Sequence, residues 1–162
     1  MGYKRKLLAG WAMLTLFISF AYAAPGMRAF AADSLQGIVH ENKGKPFVLV
    51  VWSLDCSYCQ TSLGNIAAER GRGRNLRVVT LSTDAFDDAE AMAQAALRLK
   101  AVGFAENAWA FGDAPPEQLR YALDPRWHGE KPRSYWFDAK GNRTAYSGVI
   151  TPEVMDKFMP KR

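Results

Sequence analysis

Acidic residues are missing from the start of this chain: no Asp or Glu precedes Asp33, while Lys4, Arg5 and Lys6 follow closely on the first methionine. An uncharged apolar run from Leu7 to Ala24 comes next, Pro25-Gly26 breaks it, and Ala29-Phe30-Ala31 supplies a small-x-small pattern. A basic start, an apolar run and such a pattern, in that order, make the layout of a secretory signal peptide. The reading is a leader over residues 1–31, cut after Ala31 with an alternative cut after Ala23, and one domain over residues 32–162. If uncut, the apolar run is close to bilayer-spanning length and would act as an anchor. Either way the domain is expected to be exported.

Histidine and cysteine are scarce, with two of each in 162 residues. Zinc sites draw four ligands from Cys, His and carboxylate at pair spacings. His40 and His128 have no such spacing to each other or to the cysteines, so no metal site is assigned. Excess charge is missing too once the leader is set aside. The whole chain carries +5, but Lys4, Arg5, Lys6 and Arg28 fall in the leader, leaving 17 basic residues against 16 acidic ones, a net of about +1. Nucleic acid is therefore not an expected partner. The cluster Arg70, Arg72, Arg74 and Arg77, interrupted by Gly71 and Gly73, reads as a solvated loop. Internal repeats and low-complexity linkers are absent beyond the leader, which leaves a single domain.

What is present alternates between helical and strand periodicity. Ser34 is placed to cap a short helix carrying Leu35, Ile38 and Val39, ended by Gly44 and Pro46. Phe47 to Trp52 is a continuous apolar, β-branched run, the pattern of a strand buried on both faces, and Leu76 to Ser82 repeats it. Between them Leu63, Ile66 and Ala67 keep helical spacing. Asp84 to Asp88 opens a long helix through Val102, with Met92, Ala96 and Leu99 on one side. Ala108 to Phe111 reads as a short strand, and Pro115 or Pro116 starts a helix stopped by Asp124-Pro125. Ser134 to Asp138, a turn at 139–142 and Arg143 to Ser147 make a hairpin. Thr151-Pro152-Glu153 begins a last helix running to about Met159. This order predicts an α/β fold: a mixed central sheet flanked by helices, with a terminal β-hairpin and a C-terminal helix.

Both cysteines stand in WSLDCSYCQ, residues 52–60, at the exit of the first buried strand. Three roles are open. A structural disulfide over so short a loop gains little in chain-entropy terms. Two thiolates could hold copper(I). As a redox dithiol, Cys56 sits at a helix N-terminus, where unpaired N–H groups and the positive end of the dipole stabilise a thiolate, so it is the expected nucleophile. Cys59, one turn deeper on the same side, is the expected resolving thiol.

Strand, Trp-x-x-x-Cys-x-x-Cys and helix together resemble the thioredoxin superfamily, and with the leader they are similar to its TlpA-like exported thiol-disulfide oxidoreductases. The resemblance covers most of residues 34–159. It implies a thioredoxin fold and a reductase of protein disulfides that works through a redox-active Cys56–Cys59 disulfide without a cofactor. It also implies partners that are proteins with disulfides or thiols, a membrane thiol reductase as electron donor, and a periplasmic setting. Trp52 matches the family's tryptophan ahead of the motif, and Trp52, Tyr58 and Lys131 are assigned to partner binding. Pro132, in GEKPRSYWFDAKG, matches the family's cis-proline opposite the dithiol. The Lys131 backbone beside it would pair with an extended partner peptide. A copper(I)-binding or partner-binding module on the same fold is the rival reading, since one fold hosts many functions.

The sequence also departs from the family. Val50 stands where thioredoxin buries an acid, so deprotonation of Cys59 must use water or another group. Asp55 directly precedes the nucleophile, and its charge is expected to oppose thiolate formation. That favours the disulfide and makes the dithiol a better reductant; a solvent-pointing Asp55 that only caps the helix is the alternative. Trp127 and His128 are candidates for the edge of a binding groove.

Overall fold

The computed structural model describes residues 26–159. The basic start, the apolar run and the Ala23 cleavage site lie outside the described residues. In chain order the elements are β1 (Arg28–Phe30), α1 (Ser34–Glu41), β2 (Phe47–Trp52), α2 (Ser57–Gly71), β3 (Arg77–Ala85) and α3 (Ala89–Ala101). A single 3-10 turn, Ala105–Asn107, leads to β4 (Ala108–Phe111), α4 (Pro116–Leu123), β5 (Arg133–Phe137), β6 (Arg143–Ser147) and α5 (Pro152–Phe158). The strands form one sheet in the order β1-β4-β3-β2-β5-β6. The first four run parallel, β5 lies antiparallel beside β2, and β6 lies antiparallel beside β5 at the edge.

Alternation along β2 splits the interior into two cores. Val48, Val50 and Trp52 pack with Cys59, Leu63 and Ile66 of α2, Leu99 of α3 and Met155 of α5. Phe47, Leu49 and Val51 pack on the other face with Ile38 of α1 and Leu119 and Leu123 of α4. All six β2 residues are buried, which is why the run lacks polar positions altogether. The mixed sheet, its flanking helices, the hairpin and the last helix follow the order predicted from the sequence.

Three local readings change. The boundary drawn after Ala31 would cut off β1, which is part of the sheet. Phe30 is fully buried against Trp109 and Phe111, and Arg28 stacks over Trp109 while pairing with Glu41 at 3.0 Å. The helix expected from Asp84 starts at Ala89, because β3 continues through Asp84 and Asp88 is the residue whose carboxylate accepts the Ala91 N–H. Ser34 is the first residue of α1 rather than its cap; Asp33 occupies that position, and the Ser34 hydroxyl accepts the Ala31 N–H instead.

The arginine cluster is largely structural. Arg74 is buried, bonded to Glu69 at 3.1 Å, to the Met159 carbonyl at 2.9 Å and to Asp156, so it ties the end of α2 to α5. Arg70 lies over the Phe104 ring and donates to the Gly103 carbonyl. No helix among the described residues is long and apolar enough to cross a membrane.

Candidate active site

Parallel strands leave their loops at one end of a sheet, and ligand-facing residues gather where those loops diverge. Here that end holds the exits of β2, β3 and β4. At the exit of β2 the chain turns through Ser53-Leu54-Asp55, and Cys56 becomes the N-cap of α2, its backbone extended at φ −92° and ψ 98°. The Cys59 N–H points at the Cys56 Sγ at 3.1 Å, so the helix terminus is aimed at that sulfur. The cysteines are joined as a disulfide, with Cα atoms 5.2 Å apart. They are not equivalent: Cys56 is half-buried, whereas Cys59 is fully buried in the core with Val50, Trp52 and Leu63.

A hydrogen-bonded chain braces the turn. The Lys131 ammonium donates to the Ser53 hydroxyl at 2.6 Å and to the Thr83 hydroxyl at 3.0 Å. Ser53 in turn donates to the Asp55 carboxylate at 2.5 Å, which lies 3.9 Å from the same ammonium. The Ser53 hydrogen bond, then the Lys131 charge, holds the Asp55 carboxyl below its ordinary range. Asp55 thus stays ionised at neutral pH beside Cys56, but a cation faces it. On the other side Asp84 accepts from the Leu54 N–H at 3.0 Å and from the Ser82 hydroxyl at 2.5 Å.

The Lys131-Pro132 peptide bond is cis. Arg133 pairs with Val51 in the β2–β5 ladder, so Pro132 lies level with Trp52 at the strand end that leads to the cysteines. The Pro132 carbonyl is taken by the Gly148 N–H at 2.9 Å, while the main-chain groups of Lys131 have no hydrogen-bond partner among the described residues. The loop that delivers this peptide is itself pinned. Asp124, almost fully buried, is bonded to Arg133 at 2.9 Å and to the Arg126 N–H at 3.1 Å. Glu130 accepts from Arg133 and Ser147.

The sequence-predicted residues therefore converge on one end of the sheet, with changes of role. Cys56, Cys59, Pro132, Asp55 and Lys131 come together. Tyr58 is 66% exposed on the first turn of α2, free to meet another molecule. Trp52 is 0% exposed, so its assignment to partner binding is corrected: it is a floor beneath the dithiol. Lys131 brings its side chain as well as its backbone. Trp127 is buried with its indole N–H on the Glu130 carbonyl, whereas His128 is exposed. Sequence reasoning missed Ser53, Thr83 and Asp84 as braces; their only signal was that polar residues follow each buried run at the strand exits. Among the described residues no three His, Cys, Asp or Glu side chains are grouped to hold a metal ion, so a metal at this site would rest on the two sulfurs.

No family model matches the chain, and no curated protein matches it. Among solved structures it is similar to a DsbF homologue from Corynebacterium diphtheriae, with a TM-score of 0.53 and 19% identity over 75% of this chain and 74% of that one. It is similar also to the thioredoxin domain of a thiol-disulfide oxidoreductase from Bacteroides vulgatus, at 0.52 and 16% over 74% and 82%. A third, a thioredoxin-like protein solved in solution in its oxidised form, gives 0.50 and 19% over 70% and 74%. At such identities the likeness is one of architecture. By that architecture, the chain is a thioredoxin-fold protein.

Proposed function

We propose that this protein is a thiol-disulfide oxidoreductase that reduces disulfides in other proteins through Cys56 and Cys59. The observation that carries the reading is the asymmetry of the pair. An accessible sulfur at the N-cap receives a helix N–H, and a buried sulfur stands one turn behind it. In the reduced protein the Cys56 thiolate attacks a partner disulfide, forming a mixed disulfide and expelling one partner thiolate. Cys59, after losing its proton to water or a nearby group, attacks the Cys56 sulfur. The Cys56–Cys59 bond forms, the second partner thiolate leaves, and two electrons have passed to the partner.

The unpaired main-chain groups of Lys131 support strand-like pairing with the partner's backbone, which gives affinity without demanding one sequence. Tyr58 adds an exposed ring beside the nucleophile. No cofactor enters this chemistry; the electrons return by exchange with a donor dithiol, for which a membrane thiol reductase is the proposed source. The leader supports export to the periplasm. Since β1 begins at Arg28, a cut after Ala23 keeps the sheet intact, and a cut after Ala31 removes a buried strand.

Equilibration of the dithiol against glutathione or dithiothreitol, read by thiol trapping and mass, tests the reading. A potential near about −270 mV or lower supports a reductase, and one near about −120 mV an oxidant. Cys56→Ser should abolish catalysed disulfide reduction, and Cys59→Ser should accumulate mixed disulfides. A Cys56→Ser protein with undiminished turnover would end the assignment.

A further inference from the structure

The end of the sheet opposite the dithiol has its own chemistry. There β2, β3 and β4 begin, β5 ends and β6 begins. Two adjoining hollows open on it. One, of about 860 Å³, is lined by Lys45, Arg72, Arg77 and Lys140. The second, of about 780 Å³, shares Lys140 and the 137–139 turn with the first and adds Lys43 and Arg143. Lys43, Lys45, Arg77 and Lys140 are exposed, and among the described residues none has a carboxylate within 4.0 Å.

The neighbouring carboxylates are already engaged. Glu41 holds Arg28, Glu69 and Asp156 hold Arg74, and Asp138 accepts the Lys140 and Asn142 N–H groups of its own turn. Asp138, held ionised by its turn, and exposed Glu106 before β4 offset part of this charge, but the unpaired Lys43, Lys45, Arg77 and Lys140 outnumber them and leave the face cationic. At the dithiol end the balance is reversed, with Asp55, Asp87, Asp88, Glu90 and Asp113 exposed.

A second, independent observation concerns chain direction. β1 runs parallel to β4, so Arg28 lies at the cationic end. Residues 1–25, with the apolar run Leu7 to Ala24, therefore join the domain on that side. In the uncut chain an apolar segment and a group of unpaired cations share one pole, and a bilayer takes both, the first in its hydrocarbon and the second at its anionic headgroups. Phe158 and Met159 at the lip of the larger hollow add apolar surface.

We infer that this cationic pole docks on the surface of an anionic lipid bilayer, which turns the dithiol away from the membrane toward protein partners. Lys and Arg near an anionic leaflet gain within about one Debye length, and each unpaired cation raises affinity by about fivefold. The acidic dithiol end is repelled by the same surface, so charge sets orientation as well as attachment.

The full chain, added to nanodiscs of phosphatidylcholine alone or with about one quarter phosphatidylglycerol, tests this through amide exchange at residues 43–45, 72–77 and 138–141. These amides should be protected on the anionic discs only, whether or not the apolar run inserts. The protection should vanish at about 0.5 M salt and in the combined variant Lys45→Glu, Arg77→Glu, Lys140→Glu. The milder set Lys45→Gln, Arg77→Gln, Lys140→Gln should weaken it by about a hundredfold in affinity. Arg126→Glu, at an exposed position in the loop before β5, should leave it unchanged. Equal exchange on both disc types, or protection that survives charge reversal, overturns the inference. So does protection by a short RNA duplex where anionic discs give none, which would assign the face to nucleic acid.

Discussion

Cys56 and Cys59 differ in exposure although only Ser57 and Tyr58 separate them, because one helical turn carries the second sulfur from the rim into the core. The balance of charge at that rim is set by Asp55 and Lys131, which face each other at 3.9 Å across the Ser53 hydroxyl. Asp55 alone opposes the thiolate, and Lys131 offsets it. Lys131→Met leaves Asp55 unopposed, disfavours the reduced form, and should move the exchange equilibrium by about threefold to tenfold, or about 15 to 30 mV, toward the more reducing side. Asp55→Asn should shift it the other way. The double variant should lie near the wild type, the sum of two opposite shifts, which a double-mutant cycle on the potential will read as additivity. Unchanged potentials with lowered melting temperature would make Lys131 a brace only. The dithiol was visible in the sequence from spacing alone, but its counter-ion was not, because Lys131 is far from Asp55 along the chain. Trp52 carries the opposite lesson: a strand read as buried on both faces already implied a buried indole, and the family resemblance pulled it wrongly toward the surface.

Among the elements, the segment between α4 and β5 depends on charge that no hydrophobic pattern reveals. Asp124 is 1% exposed and is bonded to Arg133, itself mostly buried, with Arg143 near by. Burial opposes ionisation of Asp124, but the Arg126 N–H and the Arg133 and Arg143 guanidinium groups outweigh it and hold the carboxyl below its ordinary range. A carboxylate whose folded pKa is depressed stabilises the fold above its unfolded pKa, about 3.9, and that contribution is lost as pH falls through the lower folded value. Asp124→Asn should therefore flatten the acid limb of the stability profile below about pH 4 while leaving its slope near neutrality alone. Asp124→Ala, which takes from Arg133 its buried partner and leaves it only the more exposed Glu130 and Ser147, should cost about 3 kcal/mol in urea unfolding. In sequence Asp124-Pro125 is a helix stop and nothing more, since a buried carboxylate has the same composition as a solvated one. The same holds for Arg74, read in sequence as part of a solvated loop, which instead bonds Glu69, Asp156 and the Met159 carbonyl and locks α2 to α5.

Considered whole, the molecule has a dithiol end and a cationic end, and β1 extends its sheet to Arg28. Phe30 fills a slot between Trp109 and Phe111 at the far edge of the sheet, with its carbonyl taken by the Gly112 N–H at 3.0 Å. Phe30→Ala should cost about 3 to 4 kcal/mol of stability by denaturant titration. A chain starting at residue 32 should be less stable than one starting at residue 24 by at least as much. If the proposed leader is cut, the mass of the mature protein should then correspond to cleavage ahead of Arg28.

Periodicity and turn chemistry, read along the chain, were enough to determine all ten regular elements named from sequence order, the single domain and the dithiol at a helix start, because each depends on neighbours within one or two turns. The strand β1, the bracing of the turn by Lys131 and Asp84, the buried Asp124 and Arg74 pairs and the polarity of charge from end to end were decided only by the tertiary structure. Each joins residues that are distant in sequence, and an ion pair or a parallel strand contact leaves no local period behind to be read.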